Sequence, residues 1–150
     1  MANILNQDFS EFIDSLNKMD VDYLLVGGFA VIYHGYNRTT GDIDIWVNPT
    51  KENYRKLKMA FADFGLSLFD MTEDKFLNIT DYDVFTFGVP PVCIEILTKV
   101  TGVEFNNCFE DATLQKFDGI DVRIIDLRNL LAAKKAAGRF KDLDDIQHLE

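Results

Sequence analysis

The chain has 150 residues, 47% hydrophobic and 27% charged, with thirteen phenylalanines and three prolines: the composition of an ordinary soluble globular protein with enough apolar volume for a sizeable core. A formal net charge of −10 and a pI near 4.5 repel a phosphate backbone, which disfavours long DNA and leaves a small molecule or another protein as partner. No apolar run approaches the ~18 residues needed to cross a bilayer, Met1–Leu5 lacks the basic and long apolar regions of a secretion signal, and two cysteines, Cys93 and Cys108, are too few and too far apart for a zinc site. A cytoplasmic protein with reduced cysteines and no membrane contact is expected.

Along the chain, Phe9, Phe12, Ile13 and Leu16 fall at helical spacing from Asp8 to Met19, with Asp8 as N-cap. Tyr23-Leu24-Leu25-Val26 reads as a buried strand stopped by Gly27-Gly28, and Phe29 to Tyr36 as a short helix closing at Gly35. Ile43, Ile45 and Val47 alternate with Asp42, Asp44 and Trp46, the period of a strand. Asn48-Pro49-Thr50 turns into a helix from Lys51 to Phe64 that Gly65 ends.

Val84–Phe87 and Val92–Leu97 read as strands separated by Gly88-Val89-Pro90-Pro91, and Cys108 falls in a loop. Leu114–Phe117 and Val122–Ile125 form a hairpin turning at Asp118-Gly119. Asp126 caps a helix to Ala137, Gly138 ends it, and Lys141–Leu149 is a last helix. The pattern predicts an α/β (α+β) fold, a mixed β-sheet flanked by helices. One domain is expected over residues 1–150, its core from about 20 to 125 and its closing helices from about 126 to 150.

Three short stretches carry chemistry. Gly27-Gly28, between a strand and a helix, lets the backbone approach a ligand, and free N–H groups at the helix start favour a phosphate. Taken alone, the pair is equally a plain tight turn. Asp42 and Asp44 point to the same side of one strand, about 6.6 Å apart along the backbone, where carboxylate oxygens suit a hard cation such as Mg²⁺. The bland alternative is a solvated strand face, although aspartate is a poor strand former and two on one face call for compensation. Glu95, embedded in the apolar run from Val92 to Leu97, is placed to join the two aspartates at a metal or to take a proton from an attacking hydroxyl. Asp83 is the rival for that role.

Together these stretches resemble the polymerase-beta-like nucleotidyltransferase superfamily, in particular its small bacterial members of the toxin–antitoxin type. The shared pattern of Gly-Gly, Ala, His-Gly and Arg-x-Thr-x-Asp-x-Asp is met by Gly27-Gly28, Ala30, His34-Gly35, Arg38, Thr40, Asp42 and Asp44. The tail, with Gly138-Arg139-Phe140-Lys141-Asp142 and Asp145, is similar to the closing helices of that group; Phe64 to Tyr82 carries none of the likeness.

The resemblance implies a metal-dependent nucleotidyltransferase. It would move a nucleoside monophosphate from a nucleoside triphosphate, ATP included, to an acceptor hydroxyl of a small molecule, protein or RNA end, releasing pyrophosphate. Asp42, Asp44 and the third acid would hold Mg²⁺, with Mn²⁺ as the other option, and Gly27, Gly28, Arg38, Thr40 and Lys141 would bind the nucleotide.

Arg38 reaches phosphate or buttresses the aspartate loop, and Arg139 and Lys141 fold back towards the triphosphate unless Lys141 simply pairs with Asp145. His34 reads as a structural histidine, and Tyr36 and Trp46 as packing residues before base-stacking ones. The alternative function is a catalytically weak nucleotide-binding or protein-interaction module of a toxin–antitoxin-like pair. With no room for a separate acceptor domain, the acceptor would be bound at a homodimer interface or supplied by a partner protein.

Overall fold

A computed structural model of the chain describes residues 6–89 and 92–150. The expected features of Met1–Leu5 and of Pro90-Pro91 lie outside the described residues.

Helix α1 (Gln7–Lys18) starts two residues earlier than a cap at Asp8 would set it, because Asn6 is the cap: its side chain accepts from the Phe9 N–H. Strand β1 (Tyr23–Val26) runs straight into α2 (Gly27–Tyr33), which begins at the first glycine rather than at Phe29. Strand β2 (Asp42–Val47) follows, then α3 (Lys51–Phe64), capped by Thr50 and ended by Gly65 in the left-handed conformation.

Two short helices were not foreseen. One is α4 (Glu73–Leu77), capped by Thr72. The other, α5 (Phe105–Glu110), carries Cys108, which therefore lies buried in a helix and not in a loop. Between them come β3 (Val84–Val89) and β4 (Val92–Leu97), with β3 two residues longer than its apolar run suggested. Strands β5 (Thr113–Phe117) and β6 (Ile120–Ile124) form the hairpin at Asp118-Gly119, and α6 (Leu127–Ala137) and α7 (Phe140–Leu149) close the chain.

The described strands form one mixed sheet in the order β3-β4-β2-β1-β6-β5. Strand β2 lies antiparallel to β1 and parallel to β4, so both of its edges are hydrogen-bonded. Because side chains alternate, one face carries Ile43 and Ile45 with Ile94, Ile96 and Phe87. There Phe61 of α3 meets Phe87 and Phe12 of α1, edge to face in both pairs, and these residues belong to the buried core. The other face carries Asp42, Asp44 and Trp46, flanked on β4 by Cys93, Glu95 and Leu97. Trp46 is buried there against Phe105 of α5, so the α/β layering expected from the sequence is present, and Asp44 on this face lines a cavity. Among the described residues no helix is long and apolar enough to cross a membrane.

Candidate active site

The acids owe their positions to register. Asp44 is directly opposite Glu95 on β4 and opposite Val26, the last residue of β1, on its other side. Asp42 stands opposite Cys93 at the exposed start of β2. The three acids that the sequence singled out therefore share one face of adjacent strands. Asp83, the rival third acid, lies just before β3 on the wall of the same cavity.

Burial pushes the Asp44 carboxyl up to about 7, helped by the Glu95 carboxyl within hydrogen-bonding reach and by the charge of Asp42; Lys141 acts in the opposite direction. Asp44 Oδ1 is buried without a hydrogen-bond partner. A buried polar oxygen left unmatched next to two further carboxylates is a site short of positive charge. Among the described residues no three His, Cys, Asp or Glu side chains converge on a single ion position; Asp44 and Glu95 stand opposite each other across the ladder. The donor set is nonetheless all oxygen from the three acids, which fits a hard divalent cation.

Gly27 closes the site from the β1 side. Its φ is +67°, and a Cβ there would overlap the Asp44 carboxylate. Gly28 is equally constrained, since a Cβ would overlap the Thr40 side chain. The glycine pair thus brings backbone against both the acid and the segment leading to it. Gly27→Ala is expected to destabilise the fold by about 1–3 kcal/mol through strain and collision, read as a lower urea midpoint. A variant as stable as the parent would remove this account of the turn.

The basic residues stand around the acids in different ways. Arg38 does not face the acids: its Nε and terminal N–H groups donate to Asp145 of α7 at 2.9 and 3.2 Å. The bonds tie the segment before β2 to α7. Lys141 is exposed and does not pair with Asp145, because that carboxylate is taken by Arg38 and by Lys134 Nζ at 2.9 Å. Lys134 also reaches Asp142 at 3.2 Å, and Arg139 Nε donates to Asp142 at 2.6 Å. Lys134, Asp142 and Asp145 are buried, an ion cluster tying α6, α7 and the Arg38 loop together.

This cluster is the main feature that sequence reasoning missed. Its one visible signal was the three-residue spacing of Asp142 and Asp145 beside the apolar Ile146, which sets both acids on the inward stripe of α7. His34 Nε2 lies 2.7 Å from the Ile125 carbonyl, a structural contact. Tyr36 is stacked on His148 at 3.9 Å, with its hydroxyl donating to Asp144.

A cavity of about 490 Å³ runs along this face, lined by Gly27, Asp44 and Asp83, by Leu97 and Lys99 from the β4 end, and by Arg139 from the closing helices. Lys99 had no signal in the sequence.

No protein-family model matches the chain, and no curated protein matches it. Solved structures share its fold at low sequence identity, two of them as follows. A provisionally assigned nucleotidyltransferase from Thermotoga maritima superposes with a TM-score of 0.59 at 13% identity, over 93% of this chain and 88% of the other. The lincosamide antibiotic adenylyltransferase LnuA, with lincomycin bound, superposes with a TM-score of 0.57 at 16% identity, over 99% of this chain and 98% of the other. The mixed sheet with Asp42 and Asp44 on an inner strand is built on the nucleotidyltransferase fold.

Proposed function

We propose that the protein is a nucleotidyltransferase that moves a nucleoside monophosphate from a nucleoside triphosphate to an acceptor hydroxyl. The observation that carries this reading is the juxtaposition of Asp42, Asp44 and Glu95 across β2 and β4 with the Gly27 turn closed on Asp44. In the displacement the acceptor oxygen forms a bond to the α-phosphorus while the bond to the departing pyrophosphate breaks in line.

Asp42, Asp44 and Glu95 would hold Mg²⁺ or Mn²⁺, which when bound supplies charge neutralisation for the triphosphate. Glu95, between Asp44 and the exposed Thr86 of the edge strand, is the group placed to take the proton of an incoming hydroxyl. The turn at Gly27-Gly28 and the N-terminal backbone of α2 meet phosphate, and Lys141, whose charge already acts on Asp44, neutralises it. Arg38 and Thr40 hold the Asp42 loop in place. Likeness to an antibiotic adenylyltransferase supports a small hydroxylated molecule as acceptor. The intact acidic trio favours an enzyme over a weak binding module of a toxin–antitoxin-like pair.

Thermal unfolding with each nucleoside triphosphate, with and without Mg²⁺, tests the proposal. A Mg²⁺-dependent rise in Tm with at least one nucleotide is expected, together with its loss in the Asp42→Asn, Asp44→Asn double variant. No rise with any of the four would sink the reading. Glu95→Gln is expected to keep nucleotide binding and lose transfer by a factor on the order of 10² or more, and undiminished transfer would move the proton acceptor to Asp83.

A further inference from the structure

Strands β3 and β5 are the two edges of the described sheet. An unpaired edge is a template for a further strand, and proteins that keep one free blunt it with charge, lysine above all. Strand β5 does so, with the exposed Lys116 paired to Asp121. Strand β3, Val84-Phe85-Thr86-Phe87-Gly88-Val89, carries no charged residue in a chain of net charge −10.

The direction of its backbone groups follows from one bond. The Thr98 N–H donates to the Asp83 carbonyl at 3.1 Å, one step beyond the pair of Val84 with Leu97. Antiparallel pairs alternate between bonded and non-bonded, so Phe85 and Phe87 bond to β4. Val84, Thr86 and Gly88 therefore turn their N–H and C=O groups to the open edge, and all three are exposed. A groove of about 330 Å³ lies against the strand, with Phe69 and Tyr82 in its lining. Phe69 is 70% exposed and held at φ +49°, a conformation that strains a bulky residue.

We propose that β3 is the docking edge for a second copy of this chain, the two strands pairing antiparallel about a two-fold axis through Thr86. Three observations choose a copy of the chain as occupant. The strand is close to a palindrome, so reversal about Thr86 sets Thr86 opposite Thr86 and Phe85 opposite Phe87. The phenylalanines then form aromatic pairs of the non-bonded kind, in which facing side chains come closest. The outward backbone groups are centred on the same residue: Val84 meets Gly88, Thr86 meets Thr86, and each outward N–H finds a carbonyl. Finally, covering Phe69, Tyr82 and Val84 together with the strand in both copies removes on the order of 1,000 Å² from water, where specific interfaces begin.

The two sheets become one. An axis normal to the sheet keeps both acidic faces on the same side, with the two Glu95 residues three strand spacings, about 14 Å, apart. The second copy's Thr86 then stands on the face that carries Glu95, two strands away.

Sedimentation equilibrium of the full chain is expected to give twice the monomer mass of 17.2 kDa. Thr86→Lys sets two ammonium groups against each other at the axis, and Thr86→Pro removes an outward N–H that β4 does not use. Each is expected to return the mass to 17.2 kDa with circular dichroism unchanged. Leu114→Lys, at an exposed position on the other edge, is expected to leave the dimer intact. Thr86→Cys reads the register: bonded pairs stand about 5.5 Å apart, within reach of a disulfide. Cys93 and Cys108 are buried, so mild oxidation is expected to link two copies through position 86. A monomeric parent overturns the proposal and leaves the edge to a strand of another protein. A dimer that survives Thr86→Lys, or one that Thr86→Cys fails to link, overturns it by placing the interface elsewhere. Mass and cross-linking do not depend on nucleotide binding, so loss of the nucleotidyltransferase reading would leave this test untouched.

Discussion

Asp44→Asn is expected to make the nucleotide-free protein more stable at pH 8, by on the order of 2 kcal/mol, while abolishing Mg²⁺-dependent nucleotide binding. The sign follows from where the proton sits. In the folded chain Asp44 keeps its proton up to about 7, whereas the unfolded chain releases it near the ordinary value of 3.8. Between those values the folded state binds more protons, so Asp44's contribution to stability is full at pH values below 3.8 and is lost as pH rises through 7.

Asparagine has no proton to lose, and its amide can donate to Glu95. Solvent in the cavity screens part of the effect, which holds the estimate below the full linkage value. Urea unfolding of parent and variant at pH 5 and pH 8 reads it as a difference, so that other titrating groups cancel. A variant destabilised by the same amount at both pH values would show that Asp44 is not under electrostatic strain.

The second large effect is expected at Lys134. This buried ammonium faces two buried carboxylates, Asp142 and Asp145, whose other ion-pair partners among the described residues are Arg139 and Arg38. Removing one partner from a buried ionic group leaves charge that neither water nor protein compensates. Lys134→Met is therefore expected to lower stability by about 3 kcal/mol, and Lys134→Met with Asp145→Asn by less than the sum of the two single changes. Strict additivity in that cycle would mean that the cluster is a set of independent contacts. Because Asp142 is held below the ordinary carboxylate range by Arg139 and Lys134, although burial pulls the other way, its contribution has the opposite sign to that of Asp44: present at neutral pH and lost on acidification.

What the sequence made legible tracks how local the cause is. Alternation alone placed β2 and put Asp42 and Asp44 on one face, since a period of two needs no partner. Glycine and capping residues gave the ends of α3 and α6 to the residue, because Gly65, Gly138, Thr50 and Asp126 act within one turn. The pairing of Asp44 with Glu95 was reached only as a supposition, fifty-one positions apart in the chain, and needed the parallel register of β2 and β4.

Helices α4 and α5 escaped because each is a turn or so long and is fixed by tertiary contacts: Phe76 beneath Tyr54, Phe105 on Trp46. Arg38 was read as a phosphate ligand or a buttress, and only the fold brings Asp145, over a hundred residues later, to its guanidinium.

Strand β2 is laddered on both edges, whereas α7 is held to the rest by side chains alone: ion pairs, the buried Ile146 and the stack of His148 on Tyr36. Amide protons at Ile43 and Ile45 should accordingly exchange only when the whole molecule unfolds, and those of α7 through smaller openings. The carboxylates then stand on the part of the molecule that melts last, and the helices beside them on a part that can swing aside at lower energy.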